Sequence, residues 1–358
     1  MIDIVKRIRS GKFTLIAEIG VNYYDIASQR DISNMEAAKL MCREAKEAGV
    51  HAVKFQTYKA ETLAASDSPS YWDTSEEPTT SQRELFKKFD SFGEPEYREL
   101  SAYCESVGIA FCSTAFDFES ADYLEPLMDV FKVSSSDLTN LPFIEYQAKK
   151  GKPMIMSVGA GDLDEMRAAV ETVRRVNSLP LVLMHCVLEY PTPYNHANLR
   201  RISSLAAEFP DVVLGYSDHC KPNAHADVIK VAYALGAHVV EKHFTLDKTL
   251  PGNDHYHAMD PEDAKNIISG VEFVENLLGI GRLSYSETES AARVNARRSI
   301  VALRDIAAGE VLERDMLTFK RPGTGISPAE IESILGKRTV CVIPEDTILK
   351  AEMIGASE

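Results

Sequence analysis

Apolar residues in the first two thirds of the chain gather into eight short runs, most of them ending in polar or turn-forming residues. In order they are FTLIAEIG (13–20), HAVKFQT (51–57), AFCSTAF (110–116), VFKVSSS (130–136), PMIMSVG (153–159), LVLMHCV (181–187), VVLGYSDH (212–219) and HVVEKHF (238–244). Their hydrophobicity is largely continuous, which predicts strands covered on both faces, as in a parallel sheet. Between them lie segments of helical period with recognisable starts. Ser33 stands three residues before Glu36, a capping box ahead of MEAAKLMCREAKEAG. Asp162 and Glu165 repeat the device before MRAAVETVRR, and Asp260 with Pro261 opens EDAKNIISGVEFVENLLG. Eight strand–helix units in about 270 residues predict an α/β fold closed as a (β/α)8 TIM barrel, not an open doubly wound sheet. No GxGxxG follows the first run to support a dinucleotide fold.

Two stretches break the rhythm. Residues 59–93 are too long for an ordinary strand-to-helix loop, and an insertion of this kind is expected to cap a site. After Gly281 the texture changes, giving a barrel over 1–281, a polar linker over 282–297 and a second, mostly β domain over 298–358. Ser327-Pro328 caps one helix within that domain. A unit this small is marginal alone and is expected to pack on the barrel or on a partner subunit.

Composition narrows the function. A formal net charge of −15 argues against non-specific nucleic-acid binding. The six cysteines (42, 104, 112, 186, 220 and 341) form no CxxC pair and are expected to be free, buried thiols in a reducing cytosol. No run has the apolar length of a membrane span, and the first twenty residues lack a signal-peptide core. A cytoplasmic protein with no membrane partner is expected.

In a barrel of this kind the C-terminal strand ends face the active site. Standing there are Glu18, Lys54, Gln56, Ser113, Thr114, Lys132, Ser134, Ser135, Ser136, Asp137 and Ser157. The later units add His185, Tyr190, Ser217, His219, Glu241 and His243, with Asp254 and His257 in the following loop. Two lysines among several hydroxyls suit a ligand carrying both a phosphate and a carboxylate. His219 and His243, on adjacent strands, suit a divalent transition metal with open positions, and two protein ligands imply a labile, water-rich site. Carboxylates at 18, 137 and 254 can hold sugar hydroxyls or orient a metal-bound water. His185, inside an apolar run, reads as structural, and PGTG (322–325) as a turn.

The motifs AEIGVN (17–22), VKFQT (53–57), FKVSSSD (131–137), HCVLEYPTPY (185–194), GYSDH (215–219) and EKHFTLDKTLPGND (241–254) occur in register. With them the chain resembles the sialic acid synthases, N-acetylneuraminate synthase and its bacterial legionaminate and pseudaminate relatives, over nearly its whole length. FKRPGTGIS (319–327) resembles the signature of their antifreeze-like SAF domain, a β-clip. The resemblance implies condensation of phosphoenolpyruvate with an open-chain N-acyl amino sugar, such as N-acetylmannosamine, to a nine-carbon 2-keto acid and phosphate. It assigns Lys54, Thr114, Lys132, Ser135, Ser157 and Ser217 to phosphoenolpyruvate. His219 and His243 become ligands of a divalent metal, manganese in the first place and magnesium or cobalt as alternatives. Gln56, Asp137, Tyr190 and Asp254 hold the sugar, Glu18 is the acid near the reacting aldehyde, and Glu18, Lys54, Lys132 and Asp254 form the catalytic set. Arg321 reaches the partner subunit's barrel in a domain-swapped homodimer.

The chain differs from that family at Asn22-Tyr23-Tyr24, where Asn-His-Glu is common, at Asp137 for a usual Glu, and at Leu188 for a usual Asn. The first two, with the 59–93 insertion, bear on sugar identity, and Leu188 on the phosphoenolpyruvate contacts. Two other readings stay open: a Schiff-base aldolase using Lys54, Lys132 or Lys242, and a non-catalytic carbohydrate-binding protein.

Overall fold

The eight runs become eight parallel strands: β1 (Thr14–Gly20), β2 (Ala52–Thr57), β3 (Ala110–Ala115), β4 (Phe131–Val133), β5 (Met154–Ser157), β6 (Leu181–Cys186), β7 (Val213–Asp218) and β8 (Val239–His243). Each pairs with the next and β1 closes on β8, so the expected barrel is the observed one. The computed structural model describes residues 2–355 apart from Asp73, Glu76 and Asn253. Two positions of the 59–93 insertion, Asn253 of the 241–254 motif and both chain ends therefore lie outside the described residues. The helix starts also follow the sequence. Ser33 Oγ accepts from Glu36 N at 3.2 Å while Glu36 Oε2 accepts from Ser33 N at 2.9 Å. Asp162 and Glu165 exchange the same pair of bonds, and Asp260 accepts from Glu262 N and Asp263 N.

Alternation along each strand sorts its side chains between two cores. Leu15, Ala17, Val53, Phe55, Phe111, Phe131, Leu183 and Val240 join the large cluster under the helices. Ile16, Ala52, Cys112, Ile155, Met184 and Val239 form a second cluster together with Ile4 and Ile8. The last two belong to a short helix, Ile4–Arg9, capped by Asp3 and packed with the strand interiors. That helix was not expected from the sequence; six residues carry too little period to read.

At one point of the barrel interior only a hydrogen fits. A Cβ on Gly215 of β7 would lie 2.7 Å from Met184 Cγ and 2.8 Å from Val239 O. Gly215→Ala is expected to lower stability by about 1–3 kcal/mol through overpacking. The effect should appear as a reduced urea midpoint at unchanged slope; an unchanged midpoint would show that the barrel interior yields.

The chain divides into two compact units, Met1–Gly279 and Ile280–Glu358. The second contains an antiparallel pair, β9 (Ser299–Ala302) and β10 (Leu317–Lys320), with isolated bridges such as Ile306–Ile343 and Thr339–Ile354. Ile300, Ile306, Leu312, Met316 and Leu349 belong to a core of its own. Ser327 caps a short 3-10 helix, Pro328–Ser333. The stretch expected to be a linker is partly helical, at Ser290–Ala296, whose small residues Ser290, Ala291 and Ala292 suit a helix despite its polarity. All six cysteines are free, but Cys341 is exposed, correcting the expectation that they are buried. Among the described residues no helix is long and apolar enough to cross a membrane.

Candidate active site

The alternation that buries Ile16, Ala52, Ile155 and Val239 carries Glu18, Lys54, Ser157 and Glu241 into the barrel two residues later. Apolar residues fill the lower interior and polar ones the C-terminal end. There they line a chamber that also takes in Thr114, Lys132, Ser135, Ser217, His219 and His243.

Two lysines and two carboxylates form its floor. Lys54 Nζ lies 2.5 Å from Glu18 Oε2 and 3.6 Å from Glu241 Oε1, and donates to Thr114 Oγ1 at 3.0 Å. Lys132 Nζ lies 3.7 Å from Glu241 Oε2 and donates to Ser157 Oγ at 2.8 Å. All four charged groups are at most 6% exposed. Burial works against the charge on Lys54, yet Glu18 and Glu241 overcome it and hold its pKa above the ordinary lysine value. For Lys132 burial prevails, helped by repulsion from Lys54, and its pKa is lowered. Burial also raises Glu18, against the pull of Lys54 and with the push of Glu241, whereas both lysines hold Glu241 low despite burial. Glu18 is therefore the carboxyl of the pair that keeps a proton more readily. Ser135 Oγ accepts from Gly159 N at 2.9 Å, which fixes it on the chamber wall.

A group of imidazoles closes one side. His219 and His243 have ring centroids 5.5 Å apart, with the Tyr190 ring 4.2 Å from that of His219. His219 Nδ1 donates to Val187 O at 2.7 Å, leaving Nε2 as its ligand atom. Burial disfavours a charge on His219, but Cys186 and Val187 raise its pKa, whereas burial and His219 hold His243 well below the usual value. His243 Nδ1 is buried with no hydrogen-bond partner among the described residues and faces Asp254 Oδ2 at 3.8 Å. A buried, unpartnered nitrogen on a neutral ring, next to a second oriented ring and a carboxylate, fits a divalent cation.

The chamber opens into a larger outer cavity, and the two share Gln56, Phe116, Ser134, Leu188, Tyr190 and His243. Asp137 and Asp254 line the outer part. Gln56 donates to Glu18 Oε1 at 2.9 Å and so couples the two compartments. The 59–93 insertion supplies a wall through Leu63, Tyr71, Trp72, Glu77, Gln82, Leu85, Phe86 and Phe89. Among the described lining residues are four carboxylates (Asp25, Glu77, Asp137 and Asp254) and no lysine or arginine.

Three expectations need correction. Tyr23 and Tyr24 do not line the cavity: Tyr23 stacks on Phe92 at 4.8 Å and the Tyr24 hydroxyl meets Ser91 Oγ at 2.6 Å, so they anchor the insertion. Asn22 is the member of that triplet that lines the cavity. Lys242, one of three possible amine nucleophiles, lies outside the chamber, 2.6 Å from Asp218 Oδ2. The third concerns Glu241, present among the strand-end residues but given no role, which stands between the two chamber lysines. Its place was readable, because it shares a strand face with His243 two residues on. Cys186, 3.9 Å from His219 Nδ1, is a further lining residue without an assigned role. His185 is structural, bonded to Ala197 O at 2.7 Å and stacked on Tyr216. Arg321 belongs to the second unit and is exposed.

Comparison with known proteins shows the family. An N,N'-diacetyllegionaminic acid synthase of Legionella pneumophila is 39% identical, over 96% of this chain and 94% of its own length. The N-acetylneuraminate-9-phosphate synthase of Homo sapiens is 33% identical, over 95% and 92%. The crystal structure of N-acetylneuraminic acid synthetase from Leptospira borgpetersenii superposes with a TM-score of 0.68 at 28% identity, covering 78% of this chain and 90% of that one. The profile of the NeuB family matches residues 41–282 and that of the SAF domain residues 297–355. The chain thus belongs to the NeuB family, its barrel followed by a SAF domain.

Proposed function

We propose that this chain is a nonulosonic acid synthase that condenses phosphoenolpyruvate with a neutral, open-chain N-acyl amino sugar, releasing inorganic phosphate. One observation carries the reading: a buried two-lysine chamber rich in hydroxyls opens directly into a larger cavity lined by aromatic and acidic residues. The names of its relatives, synthases of legionaminic, pseudaminic and N-acetylneuraminic-9-phosphate products, support a nonulosonic acid synthase.

Lys54 and Lys132 balance the phosphate and carboxylate, with Thr114, Ser135, Ser157 and Ser217 donating to their oxygens. Gln56, Asp137, Tyr190 and Asp254 hold the sugar so that its aldehyde carbon meets C3 of phosphoenolpyruvate. When bound by His219 and His243, a divalent cation, manganese first and magnesium or cobalt as alternatives, supplies Lewis-acid polarisation of the aldehyde oxygen. The new C–C bond forms as the protonated form of Glu18, which burial favours, gives its proton to that oxygen. Water adds at C2, one proton returning to Glu18, and the bond from C2 to the phosphate oxygen breaks as the remaining hydroxyl proton passes to the departing phosphate, leaving the ketone.

The acceptor follows from charge. Of the four carboxylates among the described lining residues, Glu77 is paired with Lys88 at 3.0 Å, and Asp25, Asp137 and Asp254 leave a negative wall that opposes a sugar phosphate. Tyr58, Tyr71, Trp72, Phe86 and Phe89 offer apolar faces to methyl and acetamido groups. Phosphate release from phosphoenolpyruvate and manganese is to be assayed with N-acetylmannosamine, a 2,4-diacetamido trideoxy hexose and a 6-phosphate. A neutral sugar should exceed the 6-phosphate at least about tenfold in kcat/KM, equivalent to 1.4 kcal/mol. Preference for the phosphate refutes the acceptor assignment, and no release with any sugar refutes the reaction.

One observation favours a second reading: the lowered pKa of Lys132 suits an amine nucleophile. A Schiff-base aldolase would be trapped by borohydride with a keto acid and would need no metal.

For Arg321 we propose action in trans within a homodimer, its guanidinium binding the sugar's acyl carbonyl or hydroxyls. Inactive Arg321→Ala and His219→Ala subunits, mixed and allowed to exchange, should regain activity. Demonstrated heterodimers without recovery exclude it.

A further inference from the structure

Two histidines of the loop after β8 have opposite environments. His255 has both ring nitrogens occupied, Nδ1 with Thr245 Oγ1 at 2.8 Å and Nε2 with Asp25 Oδ2 at 3.1 Å, and holds the loop in place. His257 is fully buried, and neither of its nitrogens has a hydrogen-bond partner among the described residues. A buried imidazole left with an orphaned donor and an orphaned acceptor is costly, so a site of this kind is completed by something it binds.

The surroundings indicate what that is. The His257 ring centroid is 4.9 Å from that of His243 and 6.2 Å from that of His219. Ligand atoms of His243, Asp254 and His257 all lie within 4.8 Å of one another. His243 Nδ1 is itself buried and unpartnered. A hydrophobic explanation fits poorly, because three polar side chains converge there with their nitrogens and oxygens facing one another.

The geometry points to His257 as a third imidazole ligand, grouped with His243 and Asp254, of the divalent cation that His219 and His243 hold, His219 standing on the farther side of the group. This rests on the metal reading under Proposed function and changes its character. Two imidazoles make a labile site open to several hard cations. Three with a carboxylate make a retained one, shifted towards cobalt, iron or zinc and away from magnesium.

The experiment uses the full-length protein stripped by chelation and reloaded with manganese or cobalt. Calorimetric titration with cobalt should give His257→Ala an affinity lower by at least ~10–100-fold, the range lost when even an outer partner of a ligand is removed. The visible spectrum of the cobalt form should change in the same variant. Pulsed EPR of the manganese-loaded wild type should resolve three imidazole nitrogens. Two only would overturn the assignment without reference to any variant's folding. If His219→Ala weakens binding while His257→Ala leaves affinity and spectrum unchanged, His257 is excluded and the His219–His243 reading stands. If the wild type takes up no cation, both fall together.

Discussion

Replacing Lys54 or Lys132 by methionine is expected to lower kcat/KM for phosphoenolpyruvate on the order of 100-fold or more, the loss of about 3 kcal/mol of charge-assisted binding. The chamber now balances two lysines against Glu18 and Glu241. Removing one lysine leaves an excess of negative charge where an anion must enter. The effect should fall on phosphoenolpyruvate, with little change in the KM for sugar. It should also destabilise the protein, by roughly 3–5 kcal/mol, because breaking a buried pair strands the partner charge. For Lys54→Met that deficit should shrink as pH falls. Glu18 already has a raised pKa, so the folded state binds its proton more readily than the unfolded chain, and acid removes the stranded charge. Lys242→Met is the control. Lys242 is equally buried and paired, 2.6 Å from Asp218, but lies outside the chamber. It should lose stability while the folded fraction keeps its kcat/KM. Equal kinetic losses in all three variants would mean that only stability had been measured.

His219→Ala and His243→Ala should each reduce kcat by roughly a thousandfold or more, since Lewis-acid stabilisation supplies several kcal/mol. His243 ends β8 and His219 follows the neighbouring β7; their rings approach to 5.5 Å, and His219 Nδ1 is already committed to Val187 O. Alanine therefore removes a ligand without breaking a strand. Circular dichroism should remain that of the wild type, while the metal content of the desalted protein falls. Full activity of either variant, or of the wild type after exhaustive chelation, would remove the metal from the account.

Much of this was legible because barrel strands carry their information locally. Continuous apolar runs mark all eight strands, and period-two alternation decides which end residues point inward. Applied to HVVEKHF, that alternation puts Glu241 and His243 inside and Lys242 outside, which a list of strand-end residues blurs. Other features left weaker traces. The helix Ile4–Arg9 is too short for a clear period, yet Ile4 and Ile8 pack into the barrel's interior cluster. Tyr23 and Tyr24, expected to bear on sugar identity, instead pack on aromatic residues of the insertion. Nothing in sequence spacing distinguishes His257 from His255, because loop backbone has no fixed period. Only their contacts separate a structural histidine from an unsatisfied one.

The central claim is that the two compartments join phosphoenolpyruvate to a sugar with loss of phosphate through cleavage at C2. Phosphoenolpyruvate carrying a heavy-oxygen label in the bridge between C2 and phosphorus follows that bond directly. Incubated with the enzyme, manganese and the preferred neutral sugar, it should yield phosphate containing the label and a nine-carbon keto acid without it. A label retained in the keto acid, or a condensation product formed without phosphate release, would contradict the mechanism and favour an enolate or lysine-imine route.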